Sequence, residues 1–171
     1  VITSATRTAI GAFDGSLKHM QGHELGSIVI REVLKKSRLK PKDADEVIMG
    51  QVLTTAAGQN PARQAAIKAG IPVNKTAYVV NQVCGSGLRS VAMGYQAIRT
   101  NDTSVIVAGG QESMSNAPHA INIRKNKKLE KSKLIDTMIK DGLWDAFNGY
   151  HMGNTAENVA TKWQITRKDQ D

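Results

Sequence analysis

A single cysteine among 171 residues excludes an intramolecular disulfide, and with it the small secreted scaffolds that depend on disulfides for stability. Proline is scarce as well, at four residues, and 40% of the chain is apolar, so collagen-like, low-complexity and disordered classes are excluded. Aromatic side chains make up only 4%. That is too few for an aromatic-rich β-sandwich, whereas plentiful Ala, Val, Ile and Gly suit tightly packed α/β layers. No stretch approaches the roughly 20 consecutive apolar residues of a transmembrane helix. The opening Val1-Ile2-Thr3-Ser4-Ala5-Thr6-Arg7 lacks the basic start and long apolar centre of a secretory signal, so a cytoplasmic, non-membrane protein is expected. The sequence has no initiating Met and no closing signal after Asp171, and it reads as a portion of a longer chain.

Acidic residues are also in short supply, 15 against 23 bases. Of the resulting +8, +5 comes from Arg124 to Lys133, where six bases accompany the single acid Glu130. Such a run can be a solvated loop, a patch for a small polyanionic ligand, or a nucleic-acid contact. No aromatic stacking platform or reading helix accompanies it, so no nucleic-acid partner is expected.

What is present is alternation. Val1-Ile2-Thr3 reads as the end of a strand, followed by a loop from Gly11 to Gly22. Between Glu24 and Arg38, Leu25, Ile28, Val29, Val33 and Leu34 fall on one helix face, and Pro41 closes the unit. Glu46 to Leu53 reads as a strand. Asn60 as N-cap, Pro61 in the first turn, Gly70 at the C′ position and Pro72 beyond it punctuate a helix with an alanine stripe, Ala62, Ala65, Ala66 and Ala69. A buried strand from Thr76 to Asn81 runs into Cys84-Gly85-Ser86-Gly87, which opens a helix to about Arg99; Ser104 to Ala108 is another strand. Strand and helix in turn imply βαβ units and a mostly parallel sheet. Leu134 to Trp144 reads as short helices in an insertion, and Asn154 to Trp163 as a last helix. The helix from Cys84 carries an apolar stripe (Leu88, Val91, Ala92, Tyr95, Ile98) and a stripe of small residues (Gly87, Ser90, Gly94, Ala97). Two such faces imply a helix sandwiched between layers, with Cys84 deep in the molecule.

Cys84 is the candidate nucleophile. Only a thiolate attacks well, and the unpaired N–H groups and partial positive charge of a helix start favour that form. The same amides suit a developing oxyanion, and Gly85 and Gly87 let backbone and substrate approach, a setting for acyl transfer through a thioester. Buried free cysteines are also often inert small hydrophobes, and composition alone does not separate the two. Competing motifs fail: Ser86 lacks the first Gly of G-x-S-x-G, and neither phosphate-binding glycine signature occurs. His19 and His23 have metal-pair spacing but form no H-E-x-x-H, so no metal is expected. His151-Met152-Gly153, ahead of the last helix, is a candidate ligand contact.

Several long segments in order resemble the N-terminal half of the thiolases. They are Gly58-Gln59-Asn60-Pro61-Ala62-Arg63-Gln64-Ala65-Ala66, Val83-Cys84-Gly85-Ser86-Gly87-Leu88 and Gly109-Gly110-Gln111-Glu112-Ser113-Met114-Ser115. Asp136 to Asp145, Tyr150-His151-Met152-Gly153 and Thr155 to Ala160 continue the match, closest to acetyl-CoA acetyltransferases. The resemblance implies an α/β, thiolase-like layered fold. Residues 1–112 would form the N-terminal core and 113–171 the beginning of a loop domain covering coenzyme A, with the C-terminal domain absent from these residues. It implies that Cys84 takes the acetyl group of acetyl-CoA and passes it to a second acetyl-CoA in a Claisen condensation, with thiolysis of acetoacetyl-CoA as the reverse. Leu143, His151 and Met152 match positions lining the coenzyme A and pantetheine channel, and the Cys84 N–H would form half of an oxyanion hole. Coenzyme A thioesters are then substrates, no further cofactor is expected, and a homodimer or homotetramer is implied. The family's Gly-His-Pro histidine and second cysteine do not occur in this sequence. These 171 residues alone are therefore expected to be inactive. A non-catalytic half-domain and a related β-ketoacyl condensing enzyme are the alternatives.

Overall fold

The computed structural model describes residues 1–124 and 134–171, and the chain divides into two units, Val1–Ala117 and Pro118–Asp171. In the first unit α1 (Gly22–Lys36) precedes β1 (Glu46–Gly50), α2 (Pro61–Lys68), β2 (Thr76–Val80), α3 (Ser86–Arg99) and β3 (Ile106–Gly110). The helix starts and stops follow local chemistry. At the start of α1 the Gln21 N–H donates to the Glu24 carboxylate (3.0 Å), and Asn60 accepts from the Arg63 N–H (3.1 Å) to cap α2. Asn60 also donates to the Ala77 carbonyl (2.9 Å), which ties the head of α2 to β2. The three helices end alike, each turning left-handed, at Arg38 (φ 58°), Gly70 (φ 92°) and Asn101 (φ 59°). The next N–H then closes back on the last turn, Leu39 to Leu34, Ile71 to Ala66 and Asp102 to Ala97, each at 3.0 Å.

The sheet is parallel in the order β2-β1-β3, with Glu46 opposite both Thr76 and Ile106. Central β1 is the buried strand. Val47 and Met49 join Ile30 and Leu34 of α1 and the alanine stripe of α2, Ala62, Ala65 and Ala66, in one core. These alanines let α1 and α2 approach closely on that face of the sheet. Ile48 is fully buried. On the opposite face α3 lies against β1 and β3, with Gly94 close over Ile106 and Ala108. The Ser90 hydroxyl donates to the Gly87 and Gly109 carbonyls (2.6 and 2.8 Å), pinning the helix to the end of β3.

Two expectations are corrected here. Val1 to Thr3 form no strand: Val1 and Ile2 are exposed, and no strand among the described residues offers them a ladder of N–H and C=O partners. The α3 helix is covered on one face only. Its small residues Ser86, Ser90 and Gly94 are buried, whereas Leu88 and Tyr95 stand 77% and 64% exposed. Cys84 is exposed with them and not deep, because among the described residues no second layer lies over that face.

In the second unit His119–Ala120 (β4) pairs antiparallel with Ile135–Asp136 (β5). A π-helix, Met138–Leu143, takes the place of the short helices expected from Leu134 to Trp144, and α4 (Met152–Trp163) and α5 (Arg167–Gln170) follow. The basic run lies outside the described residues apart from Arg124. Among the described residues no helix is long and apolar enough to cross a membrane.

Candidate active site

Between the end of β2 and the start of α3 the backbone makes a tight, fully specified turn. The Val83 N–H donates to Asn81 Oδ1 (2.9 Å), the Gly85 N–H to the Gln82 carbonyl (3.1 Å) and the Ser86 N–H to the Val83 carbonyl (3.1 Å). Ser86, 4% exposed, accepts from the Gln82 N–H at its Oγ (2.8 Å) and donates to the Val83 carbonyl (2.6 Å). The N–H groups of residues 82, 83, 85 and 86 are thereby committed. That of Cys84 meets no acceptor among the described residues. Val83 is held at φ 50°, a conformation that a β-branched side chain avoids. Such a residue costs on the order of 1–3 kcal/mol and persists only where its surroundings fix it. Gly85 is the N-cap of α3, so the helix opens at Ser86, two residues later than the sequence suggested. Cys84 sits just ahead of the cap, its thiol accessible.

The turn rests on the carboxyl ends of two strands. A methyl group placed on Gly50, the last residue of β1, would lie 2.5 Å from the Ser86 carbonyl carbon and 2.6 Å from the Gly87 nitrogen. Only glycine permits that approach. Beyond these strand ends, the Glu112 carboxylate accepts from the Val52 and Leu53 N–H groups (2.8 and 3.1 Å). Burial pushes the Glu112 carboxyl above its ordinary range, against the pull of the two donors. Gln111 Nε2 donates to Gln51 Oε1 (2.8 Å), and Gln51 Nε2 to the Leu53 carbonyl (2.8 Å). Side chains following β3 thus bind the segment that follows β1, which fixes the two strand ends relative to each other.

In the second unit Trp144 and His151 face each other across an antiparallel bridge. Asp145 closes the turn between them: its N–H donates to the Tyr150 carbonyl (2.8 Å), and its carboxylate accepts from the Phe147 and Asn148 N–H groups, both at 2.9 Å. The Asn148 side-chain amide, with these backbone donors, holds the Asp145 carboxyl below the usual aspartate range. Leu143 precedes Trp144 and Met152 follows His151, so the three residues lie in the chain at the base of one turn. His151 is the N-cap of α4, its Nδ1 accepting from the Gly153 N–H (3.0 Å), which leaves the proton of the neutral ring on Nε2. Cys84 belongs to the first unit and these three residues to the second. Of the other histidines, His119 lies 3.9 Å from the Asp136 carboxylate, and His23 is the second residue of α1. Among the described residues no cluster of three His, Cys, Asp or Glu side chains could hold a metal ion.

Residues 1–171 match the thiolase N-terminal domain over their whole length. The chain belongs to the thiolase family. An acetyl-CoA acetyltransferase of Rhizobium meliloti is 60% identical and one of Paracoccus denitrificans 57%, each aligned over all of this chain and 44% of its own length. The cytosolic acetyl-CoA acetyltransferase of Rattus norvegicus is 50% identical over the whole chain and 43% of its own length. The chain thus spans less than half the length of the curated relatives it matches. The parallel sheet with helices on both faces is the mixed α/β core of the thiolase N-terminal domain. Two contributors to the turn, Asn81 and Gly50, were not singled out in the sequence, and Ser86 was weighed there only as a nucleophile. The signal for Ser86 and Asn81 was there, since a Ser or Asn two to five residues from a turn offers its side chain to the backbone. Gly50, an isolated glycine in an apolar strand, marks a close backbone approach.

Proposed function

We propose that the chain carries the acyl-accepting half of an acetyl-CoA C-acetyltransferase. The observation that carries this reading is the place of Cys84 on a tight turn ahead of α3, where among the described residues its own N–H is the one amide from residue 82 to residue 86 without an acceptor. In the acyl step Cys84 Sγ, as thiolate, attacks the carbonyl carbon of acetyl-CoA. The carbonyl oxygen takes up negative charge, and the Cys84 N–H is placed to stabilise it. The bond to the coenzyme A sulfur then breaks, leaving acetyl-Cys84, and coenzyme A departs with a proton. A second acetyl-CoA, deprotonated at its α-carbon, attacks this thioester to give acetoacetyl-CoA and restores the Cys84 thiolate; thiolysis is the reverse.

The family's histidine and second cysteine do not occur in this sequence, so the condensation base is not among these residues. Leu143, His151 and Met152 line the coenzyme A and pantetheine channel in this reading, supported by their place at the base of one turn. No cofactor beyond the substrate thioester is required. A cytoplasmic homodimer or homotetramer goes with it; the name of the cytosolic acetyl-CoA acetyltransferase of Rattus norvegicus supports the location. The test is to incubate the protein at its natural length with acetyl-CoA and map the acetyl group by mass. It is expected on Cys84, with turnover lost in Cys84→Ser, because a hydroxyl is a far poorer nucleophile at neutral pH. Acetyl on another residue, or undiminished turnover of the variant, refutes the assignment.

A further inference from the structure

We propose that Ser86 is a positioning residue for Cys84, a staple that holds the turn in its strained conformation; this rests on the acyl-transfer reading of Cys84. One buried hydroxyl bonds both sides of the turn, accepting from the Gln82 N–H (2.8 Å) and donating to the Val83 carbonyl (2.6 Å). Between those two groups lies the residue at φ 50°, and Cys84 follows it directly. Among the described residues the turn has one other side-chain tie, Asn81 Oδ1 to the Val83 N–H, but Asn81 is exposed and its bond competes with water. The Ser86 bonds are shielded, since the strand end at Gly50 presses against Ser86 from below. An alanine there would leave the Gln82 N–H with no acceptor and release Val83 to the extended or right-handed backbone that a β-branched residue prefers. Turning residue 83 out of the left-handed region re-aims the peptide that carries the Cys84 N–H and swings the thiol with it. Ser86 touches neither substrate nor Sγ; it acts through the backbone of residue 83.

This mechanism separates Ser86 from a residue that merely fills space, because a second substitution should undo the first. Asn is tolerated in the left-handed region, and position 83 is 53% exposed, so Val83→Asn favours the strained conformation without the staple. The measurement is the second-order rate of Cys84 alkylation by iodoacetamide, read by peptide mass in the protein at its natural length, alongside kcat and KM for thiolysis. Ser86→Ala is expected to slow kcat by about 10- to 100-fold with little change in KM, the scale of loss that a misplacement near 1 Å produces at a reacting centre, and to slow alkylation to a smaller extent, since iodoacetamide is not held against the thiol as a bound substrate is. Ser86→Ala with Val83→Asn is expected to recover most of that loss. Unchanged rates in Ser86→Ala, or no recovery in the double variant, overturn the proposal. Should Ser86→Ala not fold, Val83→Pro decides, since proline fixes φ at about −65° while the Ser86 hydroxyl stays in place; it is expected to show the same loss in kcat, and a wild-type kcat there refutes the requirement for a left-handed residue 83. Turnover in Cys84→Ser tests the acyl-transfer reading separately, because the alkylation rates report the geometry of the turn whether or not Cys84 is acylated.

Discussion

Gly50→Ala places the heaviest demand on the seat beneath Cys84. The added methyl would meet the Ser86 carbonyl carbon at 2.5 Å, the Gly87 nitrogen at 2.6 Å and Ser86 Cβ at 2.7 Å. All three are held by α3 or by the turn that precedes it, and none is the free end of a flexible side chain. Overpacking of this kind costs about 1–3 kcal/mol, and contacts with backbone on two residues put this site near the top of that range. A loss of about 3 kcal/mol is a large share of the roughly 5–15 kcal/mol that holds a domain together. Because relief requires the start of α3 to move away from β1, reactivity of Cys84 should fall together with stability. Two neighbouring glycines supply the scale. A methyl on Gly110 would stand 3.4 Å from the Gly50 oxygen and 3.5 Å from Gly87 Cα, close to ordinary contact, so Gly110→Ala should cost under about 1.5 kcal/mol. A methyl on Gly87 meets nothing within 4 Å, and Gly87→Ala should be neutral or gain up to about 1 kcal/mol from its helical position. Urea unfolding of the three variants, with the slope checked for constancy, reads the order directly. A Gly50→Ala protein as stable as Gly87→Ala, with Cys84 alkylated at the wild-type rate, would refute close packing of β1 against the head of α3.

Two further outcomes follow from groups outside the turn. The Val105 N–H, Lys75 and the Ser104 N–H hold the Asp45 carboxyl below its ordinary 3.8. Its ionised form is therefore favoured by folding, and its contribution is present above that value and lost as pH falls through the lowered one. The urea midpoint of wild type should exceed that of Asp45→Asn at pH 7 and converge with it as pH falls through the lowered value; a gap that widens on acidification would contradict the sign. His151→Ala removes the cap of α4 at a cost of about 1 kcal/mol, enough to speed amide exchange in the first turn about fivefold, whereas His151→Asn should restore protection. Equal exchange in all three proteins would mean that the Nδ1 bond contributes nothing.

Local chemistry was the legible part. Asn60, Pro61 and Gly70 announced both ends of α2, and the alternation of apolar strands with amphipathic helices announced a parallel sheet, because each signal acts within a few residues of itself. The turn at Cys84 was legible by type but not in geometry. Its φ 50° at Val83 depends on a hydroxyl three residues later, and its seat depends on Gly50, more than thirty residues earlier. Burial was the least legible property. Leu88, Val91, Tyr95 and Ile98 make a clean apolar stripe, yet whether such a stripe is covered is decided by other segments of chain, not by its own spacing. Val1 to Thr3 failed for the same reason, since a strand exists only where another strand pairs with it. Leu134 to Trp144 has no clear helical period, and its resolution into a two-residue strand and a π-helix had no local signal.

The order β2-β1-β3 also sets a timetable for folding. β2 reaches β1 across a separation of about thirty residues, as Glu46 opposite Thr76 shows, but β3 must travel about sixty to bring Ile106 to the same place. Doubling the closed loop costs only about 0.6 kcal/mol in chain entropy, but pairings so distant in sequence form slowly. During synthesis β1, α2 and β2 can dock as soon as they emerge, while the Cys84 turn, made early, waits for Gly110 and the Gln51–Gln111 bond before its support is complete. The thiol would thus acquire its final reactivity at the closing event of this unit's assembly, and the onset of that reactivity would be a clock for when β3 arrives.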